Sequence, residues 1–197
     1  LTAPLLTPLS AADFTNGIAV QSVALFEAVT GASITFTVTE SDTSKSGVTV
    51  LTPIATVNPA VVDHMAFTTE PSGSVSAGLD LATQPVVKIR DQYDNIRLAD
   101  TDEITLEAVL ASDTSVLGGG LLNADTNPLN ALAGVASFSG VNYTKAEDIK
   151  LKASMTGVAD IFSNTVTVIP AAIDHFGVEP SAAVQTAGTP FAVTITA

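Results

Sequence analysis

Two stretches of the sequence have the same order of residues: VVDHMAFTTEP, from Val61 to Pro71, and AIDHFGVEP, from Ala172 to Pro180. Each places Asp-His before a short apolar run and Glu-Pro after it. His64 and His175 are the only two histidines among the 197 residues, and they lie 175 − 64 = 111 positions apart. A rare residue that recurs in the same setting predicts an internal repeat of about a hundred residues.

The repeat divides the chain into three predicted parts. One complete unit covers residues 62–170, the back part of another covers 1–61, and the front part of a third covers 171–197. Both joints contain a proline, which fixes φ and predicts a semi-rigid rod. Because the chain starts and stops within units, we expect it to be an excerpt of a longer protein. The alternative is strand complementation, in which the front part of one chain completes the back part of a neighbour.

Most segments alternate apolar and polar residues with a period of two, which predicts half-buried antiparallel strands. In PVVKIRD, for example, Val87 and Ile89 share one face and Lys88 and Arg90 the other. About seven such strands in one unit, with turn signals between them, predict an all-β fold of tandem Ig-like antiparallel β-sandwiches. The predicted core of the complete unit comprises Phe67, Val87, Ile89, Ile104, Leu106, Phe138, Leu151, Val166 and Val168.

Two segments fit this pattern less well. Residues 22–31 have the best helical signal, but their counterpart in the complete unit alternates, so we predict strand and turn there. Residues 117–134 are rich in Gly and Asn, which predicts a long loop that crosses between the sheets.

Composition excludes several classes of partner. The net charge is −13, from 20 acidic and 7 basic residues, so the surface repels nucleic acid and anionic lipid. We therefore predict no nucleic-acid partner. No apolar run approaches the ~20 residues of a membrane helix, so we predict no membrane insertion. The absence of Cys excludes disulfides and thiolate metal ligands.

The acidic stretch DQYDNIRLADTDE is the candidate metal site. Ca²⁺ takes six to eight oxygen ligands from such groups, which makes calcium the one cofactor that the sequence suggests. The alternative is that Asp and Asn form turns here and that the neighbouring Arg90 and Arg97 pair with the carboxylates. The candidate ligands are Asp91, Asp94, Asn95, Asp100, Asp102 and Glu103.

Catalytic patterns are missing from the sequence. It contains no Cys and no Gly-x-Ser-x-Gly, and the triglycine Gly118–Gly120 is not followed by the Lys-Ser/Thr of a phosphate loop. We therefore predict that the chain is not an enzyme. The repetition of His64 and His175 predicts an architectural role at each joint. Asn142-Tyr-Thr144 fits the glycosylation acceptor pattern, which also occurs often by chance.

Three features carry a resemblance to a known family. Residues 171–197 open with an apolar strand and place Ala-Gly before a second one, the segment Asp91-Gln-Tyr-Asp-Asn95 follows the equivalent strand, and the units end in Asn58-Pro-Ala60 and Ile169-Pro-Ala171. In these features the chain resembles the bacterial Ig-like tandem repeats of large cell-surface and secreted proteins, of the adhesin-stalk or surface-layer type. It departs from them in having Asp94 where Gly is usual.

The resemblance implies a structural repeat segment of an extracellular bacterial surface protein, in a stalk, surface layer or filament. Its partners would be neighbouring repeats of the same or identical chains. An alternative is an adhesive module that recognises a carbohydrate or a host protein through loop 111–133, and a further one is a spacer in a secreted enzyme. The loop's apolar residues are Leu117, Leu121, Leu122, Leu129 and Leu132.

Overall fold

The computed structural model describes residues 9–16, 18–37, 49–179 and 184–196. Their regular structure consists of β-strands and one 3-10 turn, Ala11–Asp13, so the prediction of an all-β fold is confirmed. Pro180, which ends the second copy of the repeated motif, lies outside the described residues. The strands are β1 (Val29–Thr37), β2 (Thr49–Val57), β3 (Val62–Thr69), β4 (Ser74–Ser76), β5 (Val86–Asp91), β6 (Glu103–Leu110), β7 (Asp113–Leu117), β8 (Leu122–Asn123), β9 (Leu129–Asn130), β10 (Val135–Ser137), β11 (Asn142–Tyr143), β12 (Asp148–Met155), β13 (Val158–Phe162), β14 (Val166–Ile169), β15 (Gly177–Glu179) and β16 (Thr194–Thr196).

Strands β3 to β14 form two main sheets around one hydrophobic core, which is the arrangement of a β-sandwich. The first sheet has the order β10-β5-β3, and the second has the order β4-β14-β12-β6-β7. Strand β13 also pairs with β12, and β9 with β6, while β8 and β11 form a small separate pair. Both main sheets contribute buried side chains to the same cluster, which runs from Met65 to Val168.

Strand β12 shows why the alternating sequence folds this way. Ile149, Leu151 and Ala153 are buried, whereas Lys150 and Lys152 point away from the core. Each fully buried Ile or Leu stabilises the fold by about 1.5–3 kcal/mol relative to an exposed one. A register shift of one residue would bury the lysines instead, so the pattern fixes the register.

The predicted core is largely confirmed. Phe67 is only half-buried and packs against the core from its edge. The other eight predicted residues are buried, and they are Val87, Ile89, Ile104, Leu106, Phe138, Leu151, Val166 and Val168.

Two separate antiparallel hairpins flank the sandwich. Strands β1 and β2 form the first, and β15 and β16 form the second. The prediction of strand from residue 22 is wrong, because residues 22–28 have no regular pairing and β1 begins at Val29.

The predicted long loop 117–134 is also partly wrong, since it contains β8 and β9. Asn127 supports this region by standing in for a strand partner of β6. Its Oδ1 accepts from the amide of Leu106 at 2.9 Å, and its Nδ2 donates to the carbonyl of the same residue at 2.8 Å. Strands of two residues are too short to show an alternating pattern, so the sequence could not reveal them.

The triglycine Gly118–Gly120 packs closely against Tyr143 of β11 and against Glu147. The amides of Gly119 and Gly120 donate to Glu147 Oε1 at 2.7 Å and to the Tyr143 hydroxyl at 2.6 Å. A Cβ atom on Gly118 would lie 2.2 Å from that hydroxyl, so a side chain there would force the strands apart. The hydrogen bonds of Lys145 and Tyr143 lower the pKa of Glu147 to about 2 despite its burial, so the carboxylate stays charged.

Candidate functional site: the joint before the sandwich

Residues 91–100 comprise the last residue of β5 and the loop after it. They lie against the joint at residues 58–61 and against the segment that leads into β1. We call residues 91–100 the clasp loop. It contains four of the six predicted calcium ligands, and its contacts reach two segments that lie about 30 and about 67 positions earlier in the chain.

Asp91 is the centre of the clasp loop and is fully buried. Its Oδ1 accepts from the amides of Tyr93 and Asn95, both at 2.9 Å, which closes the turn. Its Oδ2 accepts from the amide of Ala60 at 2.8 Å and from Asn95 Nδ2 at 2.9 Å. One carboxylate therefore shapes the loop and holds the joint.

The charge of Asp91 is retained inside the protein. Burial by itself raises the pKa of this carboxyl, but hydrogen bonds from the Asn95 side chain and from the amides of Ala60, Asn95 and Tyr93 outweigh it and lower the pKa. Hydrogen bonds to an ionised acceptor are stronger than those between neutral groups. The four donors thus bind a carboxylate at neutral pH.

Asn95 extends the clasp to the segment before β1. Its Nδ2 donates to the carbonyl of Phe26 at 2.7 Å, and its Oδ1 accepts from the amide of Ala28 at 2.8 Å. The side-chain amide thus occupies one acceptor and one donor of that segment, as a paired strand would. The rings of Phe26 and Tyr93 pack beside this contact, with centroids 4.8 Å apart and planes at 49°.

Arg97 binds the other main-chain group of the joint. Its Nη1 donates to the carbonyl of Ala60. Its Nε and Nη2 form a bidentate ion pair with the two carboxylate oxygens of Asp100, each at 3.0 Å. The hydrogen bond to Asp100 is the main reason that the pKa of Arg97 is raised. Both the N–H and the C=O of Ala60 are therefore bound by the clasp loop.

His64 lies at the edge of the same site. Its Nδ1 is 3.0 Å from Asp63 Oδ2 and its Nε2 is 3.2 Å from Asp94 Oδ1. Asp94 has φ of 67°, a left-handed conformation in which Asp is tolerated better than most residues, and its carbonyl accepts from Arg90 at 3.0 Å. His64 thus contacts the loop that holds the joint.

The structure distributes the six predicted calcium ligands over several contacts. Asp91, Asn95 and Asp100 hold N–H donors of the joint and the loop, and Asp102 and Glu103 line an open surface depression beyond it. Within residues 9–16, 18–37, 49–179 and 184–196, no three His, Cys, Asp or Glu side chains are grouped for a metal ion. Calcium binding stays a prediction.

The structure contains both interactions proposed as the alternative: Asp91 closes a turn, and Arg90 and Arg97 pair with Asp94 and Asp100. The sequence does not reveal the contacts that these residues make across the joint. The spacing Asp-x-x-x-Asn soon after a strand is a signal of a carboxylate-stabilised turn, but nothing in it indicates that residues 26–28 lie alongside.

The other predicted sites have mixed outcomes. Leu117, Leu121 and Leu132 are exposed, whereas Leu122 and Leu129 pack against the core, so only part of the predicted adhesive set is on the surface. The side chain of Asn142 donates to Asp80 and accepts from Asn123, both at 2.9 Å.

No family model matches the chain, and no curated protein matches it. The described part of the chain contains no helix that is long and apolar enough to cross a membrane.

Proposed function

We propose that the chain is a structural repeat segment of an extracellular bacterial surface protein, with tandem Ig-like sandwiches held in line by clasped joints. The observation that carries this proposal is the clasp itself: side chains of one unit bind the main chain of the preceding part at Ala60, Phe26 and Ala28. Such contacts hold successive units in a fixed line, which gives the array its length and mechanical continuity.

The sheet order supports the Ig-like assignment. In one sheet the last strand, β14, lies beside β12, and β12 lies beside β6, while in the other sheet the first strand, β3, lies beside β5. An Ig-like domain divides its strands between two sheets in a comparable way. The repeated joint and the two flanking hairpins support a tandem array. The net charge of −13 favours a well-solvated molecule and disfavours an anionic partner.

A measurement of distance across the joint tests this proposal. The chain lacks Cys, so the exposed Ser33 and Ser112 can each be replaced by Cys and spin-labelled as a unique pair. We expect a narrow distance distribution in the otherwise unchanged protein and a broader one with Asn95→Ala. Asn123→Ala is the matched control, because this amide also bonds another side chain but lies away from the joint. Equally broad distributions in all three proteins would contradict the proposal.

A second candidate function is adhesion through loop 111–133. The exposed Leu117 and Leu121 flank the triglycine, whose amides are held by Tyr143 and Glu147, so the loop presents apolar side chains on a fixed support. Loss of binding to a glycan or host-protein array on Leu117→Ser with Leu121→Ser, at unchanged melting temperature, would support it.

A further inference from the structure

The parallel pairing of β4 with β14 differs from every other pairing of the described strands, all of which are antiparallel. Strand β14 is the last strand of the sandwich, and β4 follows β3 at its start. The two ends of the unit are therefore bonded directly to each other, side by side and in the same direction.

This parallel contact is longer than the two strands. Before them, the amide of Asn164 donates to Glu70 Oε2 at 2.9 Å. At the start of the ladder the amide of Thr167 donates to the carbonyl of Gly73 at 3.0 Å, and at its end the amide of Ala77 donates to that of Ile169 at 2.8 Å. The segments 70–77 and 164–169 therefore advance together.

The direction of the chain decides how this contact responds to tension. In an array, the pull of the preceding unit enters β3, which is bonded to β5, and it reaches segment 70–77 from its first residue once those bonds have yielded. The pull of the following unit reaches segment 164–169 from its last residue. The two pulls are opposed and lie along the strands. All the bonds between the segments then share the force and must break together, whereas a hairpin pulled open at one end loses its bonds one at a time.

We propose that the β4–β14 pair is a mechanical clamp, which gives the sandwich the further function of bearing tension between its neighbours. The direction of the pull rests on the proposed function, but the clamp is a property of this one sandwich. Loss of joint order in the spin-label experiment would leave it intact, so the two proposals can fail separately.

The test is unfolding of the full chain at constant force, with Cys handles added at the two ends. Ala77→Pro removes the donor to Ile169 from the clamp. Because one backbone hydrogen bond contributes about 1 kcal/mol, we expect about fivefold faster unfolding of the sandwich at a fixed force. Leu117→Pro is the control, since it places a proline on the exposed edge strand β7, outside the path of the force.

A second pulling direction separates the clamp from ordinary destabilisation. With handles at Ser112 and Thr156, both in exposed turns, neither β4 nor β14 is pulled from its end, and the rate increase caused by Ala77→Pro should disappear. An equal increase in both directions, or none end to end, would overturn the clamp. If Ala77→Pro does not fold, Glu70→Ala removes the first bond of the contact, and we expect roughly twofold faster end-to-end unfolding.

Discussion

The two joints of this chain have nearly the same sequence but very different surroundings. In the first, Ala60 has both main-chain groups bound by Asp91 and Arg97 of the clasp loop. In the second, every residue from Pro170 to Phe176 is exposed, and His175 Nδ1 lies 3.2 Å from Oδ2 of the adjacent Asp174. Two joints of nearly the same sequence therefore differ in whether side chains from elsewhere in the chain bind their main-chain groups.

The clasp loop explains the difference. Asp91 and Arg97 of that loop bind the main chain of Ala60, whereas the residues from Pro170 to Phe176 are exposed in the part of the chain that the structure describes. The two joints thus compare a connection that side chains of the clasp loop bind with one that they do not, and four experiments test this comparison.

Removal of the central carboxylate should have the largest effect. Asp91→Ala leaves the amides of Ala60, Tyr93 and Asn95 without the buried carboxylate that accepts from them, which we expect to cost about 3 kcal/mol of unfolding free energy. Thermal unfolding should then begin roughly 10 °C lower. Asp94→Asn is the matched control, since this side chain is exposed and Asn also tolerates positive φ. An unchanged melting temperature for Asp91→Ala would show that the clasp contributes nothing to stability.

Limited proteolysis compares the joints directly. A protease of broad specificity should cleave at residues 170–176 at least about 30 times faster than at residues 58–61, since local opening that costs about 2 kcal/mol more changes the rate by that factor. Mass spectrometry of the first fragments measures the ratio. Equal cleavage of both joints in the unmodified protein would refute the comparison, and Asp91→Ala should bring the two rates together.

Acid should also make the joints alike. The pKa of Asp91 is lower in the folded protein, so its contribution is present above the unfolded value of about 3.9 and is lost as pH falls through the folded value. Pepsin should therefore begin to cleave the first joint below about pH 4. Glu147, which lies away from the joint, also has a lowered pKa, about 2 instead of its ordinary 4.5, so its contribution to stability is likewise lost in acid. A first joint whose cleavage relative to the second does not change as the pH falls would contradict the role of the Asp91 charge.

The smallest effect concerns the rings of Phe26 and Tyr93. A double-mutant cycle with alanine at each position should give a coupling of about 0.5–1.5 kcal/mol in the unfolding free energy. A coupling near zero would mean that the rings are adjacent without stabilising the joint, and the clasp would then consist of its hydrogen bonds alone.

The sandwich was predictable from the sequence because burial repeats every second residue along its long strands. Val87 and Ile89 in β5 and Leu151 in β12 follow this pattern and are fully buried. Strands β8 and β9 were not predictable, since two residues have no period, and their support comes from side chains such as Asn127.

Only the turn-forming residues of the clasp loop could be predicted from the sequence, and its contacts with the joint could not. Asp91 and Asn95 have the composition of a turn or of a cation site, and both interpretations fit the residue types. The deciding fact is that the main chain at Phe26 lies beside Asn95, a contact across 69 positions. Contacts of this separation depend on how the units dock, which no local pattern encodes.

The side-chain amides of Asn95 and Asn127 have a consequence for how copies of this chain behave side by side at high concentration. An unpaired strand edge is a template on which a strand of another molecule can add. Each of these amides occupies one donor and one acceptor of the main chain, at Phe26 and Ala28 in one case and at Leu106 in the other. A strand of another molecule would find these donors and acceptors already occupied, so we expect strand addition to be disfavoured there.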